Sequence, residues 1–343
     1  KKFDFNFKTK IDLLTAPQAL LPALQSILKS LYLKTKADLP EQLSKVNSSD
    51  EHDKIANDLI ASENGVIVLG EHLKSNPSNS VIISTVSQIA QISNSKIANL
   101  TLSGNAHSAE KVGFIPTNQG MNASSMLTES CKAFLLMDVD SQYDFFNPKL
   151  AMDLFNKDDV FVVSLTSFED QSTLLSADVI LPMASFYETS GTHINFDGIA
   201  QSFSASVKSP GDSKPGWKII KVMADLLELE GFSFVDSSQV AEEALLSSKV
   251  QTQINGSFAE SFEDSDITTL WQYAPYAIDN VTRRAKALQE SNIGKINSAY
   301  IAKSTAKKLS LSQDDLYLGV PVSISDDVAE DCVFVHTSQA RRV

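Results

Sequence analysis

The residues best suited to chemistry crowd into one stretch, ADVILPMASFYETSGTHINFDGIAQ, at residues 177–201. An apolar strand ends in Pro182, and the loop beyond it carries Glu188, Thr189, Ser190, Thr192, His193, Asn195, Asp197, Gly198 and Gln201. Together these would supply an acid, a base, hydroxyls and a metal ligand. Ser190, His193 and Asp197 are the residue types of a nucleophilic triad. No G-x-S-x-G elbow precedes them, however, and triads are normally assembled from separate elements, so chance proximity is the better account.

Other candidates are more dispersed. Asp138 and Asp140 follow the apolar run AFLLM and would suit a magnesium ion or a ribose hydroxyl, or else simply solvate a loop or cap a helix. The loop GNAHSAEKVGFIP brings glycines and His107 beyond another strand, where a turn that needs positive backbone angles explains the glycines equally well. Neither His107 nor His193 has an imidazole or thiol partner at metal-ligand spacing, so both read as histidines satisfied by hydrogen bonds. The turn after Leu69, with Gly70, Glu71 and His72, lacks the glycine pattern that lets a backbone approach a pyrophosphate, and Glu71 would repel one. Nicotinamide binding is therefore not expected. The two cysteines, Cys131 and Cys332, stand alone; Cys131 has only Lys132 beside it as a mild activator.

The elements that must position these residues follow from periodicity. Thr15 and Pro17 mark a helix start, and Leu20, Leu24, Ile27, Leu28 and Leu31 give that helix an apolar stripe. A polar connection leads to a second helix near residues 55–61. Short apolar runs then recur at Val66–Leu69, 97–102, Ala133–Met137, 160–165 and 178–181, the signature of parallel strands covered on both faces. Helical spacing falls between them at 80–92 and Pro148–Phe155, with Asn147 placed to cap the latter, and again at 217–229. These observations predict an α/β fold with a doubly wound, mostly parallel sheet. The expected division is an N-terminal helical segment and connection (1–54), a Rossmann-like α/β domain (55–235), and a linker with a small C-terminal helix and β element (236–343). The acidic run at 258–266 reads as a solvated linker, 279–289 as a helix, and VPVSI and CVFVHT as strands.

Composition narrows the functions. The chain has 343 residues, with 29 Lys and Arg against 42 Asp and Glu, a net charge of -13 that disfavours nucleic acid and anionic lipid. No apolar run reaches the roughly 18 residues of a membrane helix. With two isolated cysteines, a disulfide framework, a structural zinc site and an iron-sulfur cluster held by this chain alone are all excluded, and a reducing compartment fits best. The chain opens KKFDFNFKTK, without an initiator Met or a signal peptide, and reads as an internal portion of a longer polypeptide.

Several of these motifs form an ordered set: VIVLG, GNAHSAEKVGFIP, FLLMDVDSQYD, ADVILP with E-T-S-G-T and N-x-D-G-x-x-Q, P-G-W-K-I-I, and YAIDNVTRRAKALQ. The set resembles the molybdopterin oxidoreductase superfamily. Within that superfamily it is most similar to the C-terminal region of the large iron-sulfur subunits of NADH-quinone oxidoreductase, respiratory complex I. The resemblance implies a peripheral-arm scaffold whose partners are other complex I subunits, with iron-sulfur clusters only on a separate N-terminal region. It places the chain on the cytoplasmic face of a bacterial inner membrane, or the matrix face in mitochondria, without membrane insertion. It also implies a molybdenum cofactor site that has been lost. The family usually reads E-G-R-x-Q where this chain has Asp197, Gly198, Ile199, Ala200 and Gln201; isoleucine cannot clamp a phosphate as a guanidinium does. On this basis Glu188, Thr192, His193, Asn195, Asp197, Gly198 and Gln201 are expected to form a relic loop that binds no cofactor, with no catalytic or metal-binding residue in the chain. Thr192 and Asn195 would satisfy backbone groups, and Asp197 would cap the turn at Gly198. The alternative is a cofactor-binding portion of a true molybdopterin oxidoreductase such as a formate dehydrogenase.

Overall fold

The computed structural model describes residues 1–337 except 3, 4, 71, 74, 75, 77, 102, 103, 117–119, 130, 146 and 247–266. Glu71 and the acidic run at 258–266 lie outside the described residues. The chain divides into two compact units: Lys1–Leu102 with Gln251–Gln272 and Asn297–Thr337, and Ser103–Val250 with Tyr273–Ile296 and Ser338–Val343.

In the first unit, Pro17 opens the long helix Pro17–Thr35, whose N-cap is Ala16, with no side-chain hydrogen bond, rather than Thr15. The helix ends where Lys36 turns left-handed at φ 57°. Its Ile27, Leu28 and Leu31 pack with Leu43, Ala56 and Ile89, drawing in helices Asp50–Ala61 and Asn79–Ser93. Strands Val66–Leu69 and Lys96–Asn99 pair in parallel, with Ile67 and Leu69 turned toward these helices. The C-terminal strands form a five-stranded sheet in the order Leu316–Tyr317, Val320–Ile324, Asn297–Ile301, Cys332–Thr337, Thr268–Tyr273. This sheet joins the same unit as the N-terminal helix because Cys332 and Phe334 bury against Ala16, and because Gln18 donates to the Asp331 carbonyl at 3.0 Å.

In the second unit, strands Ala133–Met137, Phe161–Thr166 and Val179–Pro182 form a parallel sheet in chain order. Helix Pro148–Phe155 is capped by Asn147, which accepts from Leu150 N–H at 3.0 Å, and buries Ala151, Leu154 and Phe155 on Leu136 and Val162. The hairpin Gly191–Ile194 and Ala200–Phe203 follows, then helix Gly216–Leu226. A Cβ at Gly216 would fall 2.3 Å from Met137 Cε and 2.9 Å from Met183 Sδ, so a glycine permits this helix start to approach the sheet.

The α/β class with parallel sheets is therefore as the sequence predicts, but the grouping differs. The parallel strands between residues 66 and 182 lie in two sheets rather than one, and the span expected as a single domain, 55–235, is divided between the units. The C-terminal portion is divided too, because Tyr273–Ile296 belongs with the second unit. Apolar runs specify that a segment is a strand; which sheet it joins is decided by the helix it packs on.

Leu28 has no exposed surface. Leu28→Ala is expected to cost about 2–5 kcal/mol in chemical denaturation. Leu33→Ala on the same helix, where the leucine is 57% exposed, should stay within about 0.5 kcal/mol.

Candidate functional site

The loop singled out by sequence is a local structure. Asn195 Oδ1 accepts from the N–H groups of Asp197 and Ile199, both at 3.0 Å, and its carbonyl accepts from Gly198 N–H at 2.9 Å. Gly198 sits at φ 80°, the conformation that closes the hairpin. Asn195, not Asp197, therefore caps this turn. Asp197 and Ile199 point to solvent, Ile199 being 56% exposed. Thr192, expected to satisfy a backbone group, instead shares a hydrogen bond with the Ser202 hydroxyl across the hairpin at 3.0 Å. On the opposite face of the same ladder, His193 pairs with Gln201 and sets its ring edge-on to Phe203 at 4.9 Å.

Upstream, Glu188 Oε2 accepts from Ser185 N–H at 2.9 Å, closing a turn, and Thr189 donates to the Ser190 carbonyl at 3.2 Å. Ser190 Oγ pairs with Ser237 Oγ at 2.8 Å rather than with His193, so the structure does not assemble the triad types. A cleft of about 330 Å³ lies beside Ser190, lined mainly by apolar side chains including Val112, Ile194 and Val240.

The remaining single candidates are equally local. His107 stands 3.9 Å from Glu110 on helix Ala106–Lys111. Cys131 Sγ lies 3.9 Å from Met121 Sδ. Burial pushes the Cys332 thiol up from its ordinary range, which keeps it protonated and unreactive. Among the described residues, no group of three or more His, Cys, Asp or Glu could hold a metal ion, and no helix is long and apolar enough to cross a membrane.

The densest polar constellation lies elsewhere, beyond the carboxyl ends of the three parallel strands, where an open α/β sheet normally receives its ligand. Asp138 and Asp140 follow strand Ala133–Met137, and Asp170 follows strand Phe161–Thr166. Into this crevice the segment 279–289 delivers Arg283 and Arg284. Asp279 caps helix Asn280–Arg284 by accepting from Val281 and Thr282 N–H at 3.0 and 2.8 Å. Arg283 donates to Asp144 at 2.7 Å and holds Nη1 4.0 Å from Asp140, while Arg284 donates to Asp140 at 3.2 Å and also to Asp170.

Asn280 completes the seal by donating to the Asp138 carbonyl and carboxylate at 3.2 and 3.0 Å. Tyr143 and Phe168 stack on the two guanidiniums, at 5.1 and 4.6 Å. Gln289 ties the following turn back by donating to the Tyr276 and Thr282 carbonyls, both at 2.8 Å. Asp140 and Arg283 are nearly withdrawn from water, their side chains 2% and 8% exposed.

Sequence reading singled out Asp138 and Asp140 but missed Asp144, Asp170, Asn280, Arg283 and Arg284 as their partners. The available signal was an adjacent arginine pair in a strongly acidic chain, opposite acids that follow two successive strands.

The network titrates in two directions. Burial pushes the Asp144 carboxyl up, against its hydrogen bonds from Asp140 N–H and Arg283. Burial also opposes ionisation of Asp170, but Thr173 N–H, the Ser172 hydroxyl and Arg284 outweigh it and hold that carboxyl below the usual range. Folding lowers the pKa of Asp170, so its contribution is fully present above the ordinary carboxylate range and is lost as pH falls through its folded value. Asp144 runs the other way: its contribution is present below that range and is lost as pH rises through its folded value. The urea midpoint of Asp170→Asn should therefore start below wild type at pH 6 and fall less between pH 6 and 3. Arg284→Ala, which removes the guanidinium hydrogen-bonded to the buried Asp140, should cost about 3 kcal/mol at neutral pH, read as a lowered denaturation midpoint.

The family model described as molybdopterin oxidoreductase matches residues 10–226. The chain is 38% identical over 80 residues to the mitochondrial NADH-ubiquinone oxidoreductase 78 kDa subunit of Candida albicans, which covers 22% of this chain and 11% of that protein. It is 33% identical over 94 residues to the F420-dependent formate dehydrogenase 1 subunit alpha of Methanococcus maripaludis, covering 27% of this chain and 13% of that one. The chain thus spans only a small part of the curated relatives it matches. Among solved structures, acetylene hydratase from Pelobacter acetylenicus shares the fold, with a TM-score of 0.56 at 12% identity over 94% of this chain and 63% of that one. With a family match that extends over well more than half of its length, this chain belongs to the molybdopterin oxidoreductase family.

Proposed function

We propose that this chain is a non-catalytic scaffold region of a redox subunit, of the type found in the large iron-sulfur subunit of NADH-quinone oxidoreductase. It would support electron transfer through contacts with other subunits of the peripheral arm, on the cytoplasmic or matrix side of the membrane, with iron-sulfur clusters carried elsewhere in the parent. The observation that carries this reading is the filled crevice. At the strand ends, where an open α/β sheet normally takes its ligand, Arg283 donates to Asp144 and Arg284 to Asp140 and Asp170, with only Arg283 Nη1 left without an acceptor.

The residues present do not fit a molybdopterin cofactor. Its phosphate calls for free guanidinium, ammonium or backbone N–H donors. In the hairpin turn, the N–H groups of Asp197, Gly198 and Ile199 are spent on Asn195, and the Ile199 side chain has no donor. At the strand ends, four carboxylates (Asp138, Asp140, Asp144 and Asp170) against two guanidiniums leave the crevice net negative, which would repel an anion. No catalytic step is therefore assigned to this chain.

The similarity to a formate dehydrogenase subunit supports the second reading, a cofactor-binding portion of a working molybdopterin enzyme. Elemental analysis of the purified chain, together with absorbance and fluorescence of a heat-released pterin, separates the two. The scaffold reading expects neither molybdenum nor a pterin signal above background. Molybdenum stoichiometric with a pterin would sink it.

A further inference from the structure

The segment 273–296 is joined to the second unit by polar contacts rather than by an apolar core. Its regular structure is one 3-10 turn, Pro275–Ala277, and two short helices, Asn280–Arg284 and Lys286–Gln289. Ala274 is its one fully buried apolar side chain, and the apolar clusters of the fold are built from residues outside it. The fastening is concentrated in a single turn: Asn280 holds Asp138, Arg283 holds Asp144, and Arg284 holds Asp140 and Asp170. Past that turn the contacts fold back on the segment itself. Gln289 donates to the Tyr276 and Thr282 carbonyls, and Ser291 donates to the Leu288 carbonyl at 2.6 Å and accepts from Gly294 N–H at 3.1 Å.

What such a fastening costs to undo depends on how it is undone. Removing one member leaves its partners charged and poorly hydrated, which is expensive. Withdrawing the whole turn returns every member to water together, so the hydration regained by both guanidiniums and by Asp140, Asp144 and Asp170 offsets the Coulomb attraction lost. Arg283 Nη1, buried without an acceptor, gains one on leaving. The stacks of Tyr143 on Arg283 and Phe168 on Arg284 are lost, but little other apolar contact goes with them. Helices this short do not persist alone in water, so release also melts the segment's own backbone hydrogen bonds. We propose that 273–296 is a strap that opens from the strand ends as one cooperative unit while the three-stranded sheet stays folded, uncovering an acidic crevice formed by Asp138, Asp140, Asp144 and Asp170. This inference does not rest on the scaffold reading.

The test is amide hydrogen exchange of the full chain at increasing sub-denaturing urea. The reporters are the amides of Arg283, Leu288, Gln289 and Glu290, bonded to the carbonyls of Asp279, Ala285, Ala285 and Lys286 at 3.0, 2.9, 3.1 and 2.9 Å. Their protection is expected to lie about tenfold or more below that of strand Phe161–Thr166, with a smaller urea slope, the mark of an opening that exposes little surface. Asp170→Asn keeps an acceptor for Thr173 N–H but withdraws the charge from Arg284, and Arg284→Lys keeps the charge but loses the planar fork. Each should lower the protection of the reporters about tenfold. Reporters that exchange with the same protection and urea slope as the strand overturn the proposal, because the segment then leaves only on global unfolding. Protection indifferent to both substitutions overturns it too, because the network is then not the fastening. The wild-type urea slope decides the matter if neither variant folds.

Discussion

The pairing of Arg283 and Arg284 with Asp140, Asp144 and Asp170 is the constraint on which the second unit turns. These contacts join residues 114 to 144 positions apart in sequence, and they hold Tyr273–Ile296 in a unit otherwise built from residues 103–250. A buried charge network adds little stability over a well-packed apolar cluster, yet removing one member strands the others in a poorly hydrated site. The arrangement is therefore costly to break rather than strongly stabilising, and it fixes one geometry. Ser172 bridges Asp140 and Asp170 at 3.0 and 2.8 Å, so the helix that follows the second strand is positioned by the same carboxylates.

The hairpin at 191–203 shows how a stretch rich in reactive residue types can be committed to shape. Asn195 spends its oxygens on three N–H groups of its own turn, Glu188 on a turn upstream, and Ser190 on Ser237. Gly191 lies against the Phe203 ring, where a Cβ would sit 2.9 Å from Cζ, so any larger residue would have to push the ring aside. Ser108 accepts from the buried Ile194 N–H at 2.7 Å and anchors the hairpin to helix Ala106–Lys111. Each of these polar groups has a partner within a structural task.

What was legible in the sequence was local. Pro17 and Asn147 marked helix starts because their effects act within one turn, and the apolar runs marked strands because burial on a pleated sheet selects them. Asn195 was legible as a group that satisfies backbone; the capping role assigned to Asp197 was not, because either residue type suits such a turn and only the backbone angles decide. The division into two sheets and the arginine–aspartate network were illegible for one shared reason. Both depend on contacts between residues far apart in the chain, where no periodicity or spacing survives to signal them.

The same physics explains a feature of the strands themselves. Continuous apolar runs signal a sheet covered on both faces, since alternation would suffice for one. Here Ile67 and Leu69 pack on helices while Val66 and Val68 stay exposed, and Phe134 and Leu136 pack while Leu135 and Met137 stay exposed. Full burial of such a side chain is worth about 1.5–3 kcal/mol. Each bare position therefore holds stabilisation that the described helices leave unrealised.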